Sequence, residues 1–292
     1  MNILENEYLK VKLHPKGAEI IEIISKKNNV NYMWKRDPRQ WASSAPILFP
    51  IIGKVRNDTL KIDGKDYHLT SHGFSRHTQY QVANATDSKV VYKLIPNDEI
   101  KAIFPYDFVL TVTYTLEGST LSCNVAVHNP SSDDILFQVG GHPAFACPFY
   151  DGESSNDYFL EFNQNEKLDQ KILDLEKGGM SHQTRMFLNN EKRFFVTQSQ
   201  FNDDAIVVEN FKSNMIALKS INHNHQIKFH MENFTHLGIW AAKHVGDLLA
   251  IEPWCGHTDY YDFDGELKDK VGVVKLSSKQ DFDCTFKVEI DN

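Results

Sequence analysis

Regular alternation of hydrophobic and polar residues recurs along this chain and predicts β-strands. Residues 9–13 place leucine, valine and leucine between lysines, which is the period-2 pattern of a strand with one buried face. Residues 60–69 form two such runs around the pair Asp63-Gly64, a two-residue turn typical of a β-hairpin. Residues 110–127 predict a longer hairpin that turns at Glu117-Gly118. The chain therefore begins as antiparallel β structure.

The rest of the chain continues this pattern. Further strand-like runs lie at 89–95, 205–208, 215–218, 237–241 and 282–290. Helical structure is limited to short turns expected near 98–104 and 166–175, and the polar segment 151–170 is expected to form loops at one edge. Many short strands without alternating helices predict an all-β protein, a large antiparallel β-sandwich. We find no internal repeat or linker, so residues 1–292 are interpreted as a single domain.

Composition agrees with a large core and excludes two classes of partner. Apolar residues make up 41% of the 292 residues, and 19 Phe and 11 Tyr favour strands. The net charge of -8 argues against nucleic acid, which requires a basic surface. No apolar stretch approaches the roughly 20 residues of a membrane span, and the N-terminus lacks a basic start before an apolar run. We expect a cytoplasmic protein with no membrane partner.

The four cysteines and a group of three histidines are candidates for covalent or metal sites. The four cysteines, Cys123, Cys147, Cys255 and Cys284, are far apart and form no CxxC pair, which favours reduced, packed thiols. In a strand, His223 and His225 share one face, with His230 nearby. No carboxylate or thiol partner is obvious in the sequence, so a solvated loop is favoured there and we predict no metal.

The segment 137–148, FQVGGHPAFACP, contains the first candidate for chemistry. His142 lies between two glycines and Pro143, which hold the backbone in a tight, non-helical path. Phe137, Phe145 and Phe149 are expected to wall an apolar cavity around the imidazole. Such surroundings tune the pKa of a histidine near neutrality. The alternative is a hydrogen-bonded core histidine at a strand end.

The segment 251–259, IEPWCGHTD, contains the second candidate. Glu252 stands between Ile251 and Pro253 and precedes Trp254, so its carboxylate is expected to lose solvent and gain basicity. A carboxylate of this kind suits a general base, and the indole suits the apolar face of a sugar. The alternative is a surface glutamate beside a structural tryptophan.

Two more stretches place polar side chains at the ends of strands. In 44–57, SAPILFPIIGKVRN, prolines confine the strand to an edge or bend, and Lys54 and Arg56 follow it. These cations suit hydroxyls or anions, or are simply solvated. In 71–76, SHGFSR, His72 precedes a glycine and either caps a turn or enters a site.

Taken together, these stretches resemble the aldose 1-epimerases, or galactose mutarotases, and most closely their bacterial LacX-like branch. The resemblance covers essentially the whole chain, and the order and spacing of its motifs are specific. The motifs are GAEI at 17–20, APILFPIIGK at 45–54, HGFSR at 72–76, GGHPAF at 140–145, NDDAIV at 202–207 and IEPWCGHTD at 251–259.

The resemblance implies a large β-sandwich that interconverts the α and β anomers of aldohexoses without a cofactor. Glu252 matches the general base that takes the proton from O1, and His142 the general acid that protonates the ring oxygen O5. His72 matches a second histidine near the reacting oxygens. Arg56 and Asp204 match the substrate-binding arginine and aspartate. The family commonly has Gly-Arg where this chain has Gly53-Lys54, so the sugar is expected to be held by Lys54, by Arg56 or by both. Asp203 is adjacent to Asp204, and a register slip of one residue would give it the aspartate's role instead.

Other functions remain open at this point. Mutarotation of a hexose 6-phosphate requires Lys54, Arg56 or Arg76 to meet the phosphate. A non-catalytic sugar-binding or sensing protein on the same fold is a second alternative, although such a binder has no need of an acid-base pair. The expected partner is a small-molecule sugar, and the expected assembly is a monomer or homodimer.

Overall fold

The computed structural model describes residues 1–242 and 248–292. These residues form many strands, one short α-helix, α1 (Asp98–Ile103), and single turns of 3-10 helix. The strands are β1 (Asn2–Glu5), β2 (Leu9–His14), β3 (Glu19–Ser25), β4 (Ile47–Leu48), β5 (Thr59–Ile62), β6 (Lys65–His68), β7 (Gln81–Ala85), β8 (Lys89–Leu94), β9 (Val109–Glu117), β10 (Thr120–His128), β11 (Ile135–Phe137), β12 (Val139–Gly141), β13 (Ala144–Ala146), β14 (Tyr158–Asp174), β15 (Gly179–Phe195), β16 (Ile206–Glu209), β17 (Met215–Ser220), β18 (Gln226–Glu232), β19 (His236–Trp240), β20 (Leu248–Cys255), β21 (Val274–Leu276) and β22 (Asp281–Asp291). The 3-10 turns are Arg56–Asp58, Ser75–His77, Ser155–Asp157, Gln198–Phe201 and Leu267–Asp269.

Most strands belong to one long antiparallel sheet. Its order is β4-β12-β20-β19-β16-β14-β17-β18-β22-β10-β9-β8-β7, with β13 also paired to β20 and β15 to β14. Three smaller sheets, β1-β2-β3, β5-β6 and β11-β21, complete the described strands. The antiparallel β-sandwich expected from the sequence is confirmed. β4 is at the end of the long sheet, which is where its flanking prolines are tolerated.

Both predicted hairpins are confirmed. β5 and β6 join at Asp63 and Gly64, whose φ values of 49° and 72° are those that a two-residue turn requires. β9 and β10 pair along their whole length, and the turn follows Glu117, which is still paired with Thr120. The helical turn expected near 98–104 is confirmed by α1, capped by the Asn97 side chain.

The prediction of loops at 151–170, and of a helical turn at 166–175, is wrong. β14 covers most of this region and pairs with β15 in a long hairpin with several register shifts. The sequence pattern does not indicate β14, because two of its buried positions are polar, Glu166 and Gln170. The buried Glu166 carboxylate accepts backbone N–H groups of Lys212 and Ser213, so burial is compensated by hydrogen bonds and leaves no hydrophobic signal.

The four cysteines are buried and free of disulfides. Burial raises the pKa of the Cys255 thiol to about 11, and it raises the pKa of Cys147 further. Both thiols are therefore protonated at neutral pH. None of the helices in the described ranges is long and apolar enough to cross a membrane.

Candidate active site

His142 and Glu252 face each other because of strand register. β12 and β13 both pair with β20, on either side of His142, and the pairs Gly140–Trp254 and Ala144–Ala250 have the same register. Position 142 therefore lies opposite position 252. His142 Nε2 and Glu252 Oε2 are 3.2 Å apart. The sequence motifs predicted both residues, and the pairing of distant strands brings them together.

Both side chains are almost completely buried, His142 at 8% and Glu252 at 1% exposure. Although His142 Nε2 is 3.2 Å from Glu252 Oε2, the two atoms are not aligned for a hydrogen bond, so this oxygen and His142 Nδ1 have no hydrogen-bond partner among the described residues. Burial raises the pKa of Glu252 well above its usual range, and the charge of Asp204 adds to this while Arg76 opposes it. Burial also lowers the pKa of His142 well below its usual range, assisted by His72 and Arg76. Each group is thus pushed towards its neutral form.

His72 is fixed by a reciprocal pair of hydrogen bonds with Gly53. Its backbone N–H donates to the Gly53 carbonyl over 2.8 Å, and Gly53 N–H donates to His72 Nδ1 over 3.1 Å. Burial in the cleft wall lowers the pKa of His72 to about 3, with Arg76 adding to the effect. The imidazole is neutral, and because Nδ1 accepts, Nε2 carries the proton. The ring centres of His72 and His142 are 5.7 Å apart.

Gly53 cannot carry a larger side chain. Its φ is +66°, and a Cβ there would lie 2.5 Å from the Thr258 Cβ. The close approach lets Thr258 Oγ1 accept the N–H of Lys54 and donate to the Lys54 carbonyl, both over 2.9 Å. The loops after β4 and β20 are thereby joined beside His72.

Lys54 and Arg56 point to different places. Lys54 lines the cleft that contains the acid-base pair. Arg56 lines a separate groove, and its guanidinium lies 3.4 Å from the Phe263 carbonyl. The structure therefore brings Lys54, and not Arg56, together with His142 and Glu252.

Asp204 also lines the cleft, whereas Asp203 lies outside it. Asp204 adopts a φ of +74° in the turn that precedes β16, and this turn directs the two neighbouring aspartates differently. Asp203 lies in an outer groove and pairs with Arg185 at 3.4 Å. Arg76, on the 3-10 turn after His72, adds a second cation to the cleft, and its buried Nε has no partner among the described residues.

Trp254 forms part of an apolar wall. Its indole lies over Gly238, where a Cβ would be 2.4 Å away, so a side chain at 238 would displace the ring. Ile52, Met180 and Val207 pack around it. The stacking of a sugar on this ring remains a prediction.

The cleft has a volume of about 400 Å³, within the range of small-molecule sites. Sequence reasoning missed three of its features: Trp41 and Trp240 beside His142, His257, and the tip of the β14–β15 hairpin. The hairpin was missed with its strands, and His257 was quoted within a motif without a role. The lining residues are Trp41, Ile52, Gly53, Lys54, Ser71, His72, Arg76, His142, Leu173, Asp174, Leu175, Gly178, Gly179, Met180, Asp204, Ala205, Val207, Trp240, Glu252, Trp254, His257 and Thr258.

The histidines considered as metal ligands lie away from this cleft. His223 Nε2 is 3.4 Å from Glu153, and His225 contacts the Tyr150 hydroxyl. His230 pairs with Glu289 at 3.2 Å on the neighbouring strand. Within residues 1–242 and 248–292, no group of three or more His, Cys, Asp or Glu side chains is arranged to hold a metal ion.

Comparison with known proteins identifies relatives along the whole chain. The sequence model of the family described as aldose 1-epimerase matches residues 2–290. Protein LacX, chromosomal, of Lactococcus lactis subsp. lactis is 32% identical over 293 residues, which cover 97% of this chain and 98% of that protein. The resemblance stated from the motifs is confirmed.

Two solved structures are similar over nearly their full length. A galactose mutarotase related enzyme from Lactobacillus acidophilus has a TM-score of 0.94 at 28% identity, covering 99% of this chain and 97% of its own. A galactose mutarotase-like protein from Lactobacillus casei has a TM-score of 0.93 at 28% identity, covering 100% of both chains. The fold is therefore that of the galactose mutarotase-like proteins.

Proposed function

Because this chain belongs to the aldose 1-epimerase family, we propose that it is a mutarotase that interconverts the α and β anomers of an aldohexose such as galactose or glucose. The observation that carries the proposal is the buried pair of His142 and Glu252, 3.2 Å apart in a cleft of about 400 Å³. The pair supplies an acid and a base without further groups.

The spacing of the pair suits the reaction. In a pyranose, the hydroxyl oxygen O1 and the ring oxygen O5 are bonded to the same carbon, so an acid and a base that serve them must lie side by side. Glu252 takes the proton from O1 while His142 gives a proton to O5, and the C1–O5 bond breaks. The resulting aldehyde turns about the C1–C2 bond. Ring closure on the other face then returns both protons.

Burial favours the proton transfers. The reactive pair is a protonated His142 and an ionised Glu252, and ring opening leaves both groups neutral. Desolvation lowers the pKa of His142 and raises that of Glu252, so it makes the ionised pair a stronger acid and a stronger base, while it also lowers the fraction of the pair that is ionised. General acid-base catalysis of this kind contributes typically about 10² to 10⁴-fold per group.

The remaining cleft residues hold the sugar. The neutral His72 donates from Nε2 near the reacting oxygens, and Arg76, Asp204 and Lys54 bind hydroxyl groups. Trp254 provides the apolar wall for a C–H face of the ring. The lining supplies the donors, acceptors and aromatic surface that a pyranose needs.

The test is proton NMR of the anomeric signals of freshly dissolved α-D-galactose and α-D-glucose, with and without protein. We expect acceleration by the wild type and its loss in Glu252→Gln. Glu166→Gln is the matched control, because Glu166 is equally buried at 1% exposure and lies outside the cleft. If the wild type accelerates neither sugar nor a phosphorylated one but still binds sugar in a titration, a sensing function replaces the proposal.

A hexose 6-phosphate is the second candidate substrate, favoured by Lys54. This side chain lines the cleft and its ammonium has no ion-pair partner within the described residues, so it is available to a phosphate. Glucose 6-phosphate is therefore tested in parallel. Acceleration confined to the phosphate ester and lost in Lys54→Gln supports this candidate, whereas equal acceleration of free sugars contradicts it.

A further inference from the structure

Two hydrogen bonds anchor the backbone of Trp41. It lies in the segment between β3 and β4, where its N–H donates to the Asp37 carbonyl over 2.9 Å. Its own carbonyl accepts the indole N–H of the buried Trp34 over 2.8 Å. Both polar groups of the Trp41 backbone are thus satisfied, and its Cα is anchored beside the cleft.

The Trp41 indole covers one face of His142. The ring centres are 4.5 Å apart and the planes are inclined by 32°. Trp240 meets both rings edge-on, with centres 5.7 Å from each. Together with Glu252 at Nε2 and His72 at 5.7 Å, these rings enclose the imidazole.

Small residues make room for the two indoles. Trp41 and Trp240 pack on a buried cluster that includes Ala144 and Ala250. Ala250 is two positions before Glu252 on β20, so the two side chains lie on the same face of that strand. Ala144, the first residue of β13, is paired with Ala250. The strand that carries Glu252 therefore also carries part of the surface on which the two indoles pack.

Building on the proposed function, we propose that Trp41 is a positioning residue, whose indole holds the His142 imidazole against Glu252 and keeps water away from it. Trp41 has no acid or base of its own. It acts through the imidazole, by fixing the orientation of the ring and by closing the side that Glu252 and His72 leave open.

Removal of the Trp41 indole is expected to change the solvent exposure of His142 and therefore its pKa. The titratable and charged groups that face His142 are Glu252 on β20 and His72 and Arg76 on the segment after β6. These groups stay in place when the indole is removed. Water that enters in its place stabilises the charged imidazolium, so the pKa of His142 rises towards the ordinary value near 6.5.

The experiment compares Trp41→Ala and Trp41→Phe with the wild type. NMR titration of the His142 ring signals, assigned with His142→Asn, measures the effect without requiring activity. Mutarotation kinetics on the best substrate give kcat and KM. Phe187→Ala is the matched control, because Phe187 is a half-buried aromatic of β15 that packs on the core outside the cleft.

We expect Trp41→Ala to move the His142 titration to higher pH by on the order of one unit. We expect kcat to fall about 10- to 100-fold, because a loosened catalytic group loses alignment. Trp41→Phe restores most of both properties, and Phe187→Ala changes neither. Loss of folding in Trp41→Ala leaves Trp41→Phe as the informative variant, with a smaller shift in the same direction.

Three results overturn the inference. The first is an unchanged His142 titration in folded Trp41→Ala. The second is a rise in KM with kcat intact, which makes Trp41 a platform for the sugar instead. The third is an equal effect of Phe187→Ala, which makes the change a general loss of stability. An inactive wild type overturns the proposed function, whereas the titration still decides whether Trp41 covers the imidazole.

Discussion

The β9–β10 hairpin and the strands around β20 are built on different principles. Along β9 and β10, buried side chains alternate with half-exposed ones, so one face packs and the other meets solvent. All eight residues of β20 are buried, including the ionisable Glu252. β12, its neighbour, is buried at every position as well. The β9–β10 hairpin therefore has one face towards solvent, whereas β12 and β20 are buried on both faces.

The difference extends to the polar groups. Inward positions of β9 and β10 are apolar apart from Tyr114, whose hydroxyl donates to the Ala18 carbonyl. Around β20, polar atoms of His142, Glu252 and Trp254 are buried without a partner in the described part of the chain. A buried polar group without a partner costs about 1–3 kcal/mol. Such a cost is tolerated where a substrate supplies the missing partners.

The largest expected effect is a loss of activity without a loss of stability when the acid or the base is replaced. We expect His142→Asn and Glu252→Gln each to lower kcat about 10² to 10⁴-fold, because each removes one proton-transferring group. Glu252→Gln should unfold at the same temperature as the wild type or higher, since an amide, unlike a carboxyl group, cannot ionise at this buried position. Anomeric NMR and thermal unfolding by circular dichroism measure the two effects. A marked loss of stability in Glu252→Gln would assign the carboxylate a structural role.

The opposite result is expected in the β9–β10 hairpin. Leu110 is fully buried in β9, so Leu110→Ala removes apolar contacts and leaves a cavity. We expect a loss of about 2–5 kcal/mol in the free energy of unfolding, with kcat unchanged at temperatures where the protein is folded. Urea unfolding and the mutarotation assay check this. A large fall in kcat of the folded variant would show that the two regions are coupled.

The sequence predicted the two regions unequally for physical reasons. Alternation shows a strand only when one face is apolar and the other polar, which holds for β9 and β10. In β14, the buried Glu166 and Gln170 removed that signal. Local motifs made His142 and Glu252 candidates, because glycine and proline shape their surroundings, and the resemblance to a known family selected them over the structural alternatives. Their pairing depends on strands more than 100 residues apart, which no local pattern encodes.

Contacts between distant parts of the chain also explain why the sequence did not decide between Lys54 and Arg56 or predict the role of Trp41 in the site. The choice of Lys54 over Arg56 depends on contacts with Thr258 and Phe263, far along the chain. Trp41 lies in a segment without periodicity, and only the position of His142 gives it a role. A lone tryptophan after the Asp37-Pro38 pair was the available signal, and by itself it indicates no chemistry.

The third expected effect is a pH dependence of the free energy of unfolding that comes from His257, a residue of the cleft. His257 is 2% exposed, and burial lowers its pKa to about 4, from an ordinary 6.5 in the unfolded chain. Between these values the unfolded state binds more protons, so the unfolding free energy is highest above pH 6.5 and falls as the pH drops towards 4. The contribution of His257 is on the order of 3 kcal/mol.

Urea unfolding at several pH values measures this loss, and His257→Asn should reduce the slope. His128→Asn, at an exposed histidine of β10, is the control and should retain the slope of the wild type, because His257 is still present. An equal slope in wild type and His257→Asn contradicts the assignment.

The smallest effect concerns the two charges that flank the pair. Activity requires one proton shared by His142 and Glu252, so kcat/KM should fall on the acid side when the pair gains a proton and on the alkaline side when it loses one. Arg76 lowers the pKa of both groups, and Asp204 raises that of Glu252. Arg76→Gln should therefore move both limbs to higher pH. Asp204→Asn should move the alkaline limb to lower pH.

Each of these shifts is expected to be between a few tenths of a pH unit and about one unit. Both variants are also expected to bind sugar less well, but weaker binding scales the whole profile and leaves the positions of its limbs unchanged. Leu110→Ala, which alters packing and no charge, supplies the control profile. Shifts of the same sign in Arg76→Gln and Asp204→Asn would mean that altered geometry, and not charge, moves the limbs. Opposite shifts would mean that the charges of Arg76 and Asp204 tune the acid-base pair, whereas the β9–β10 hairpin serves packing alone.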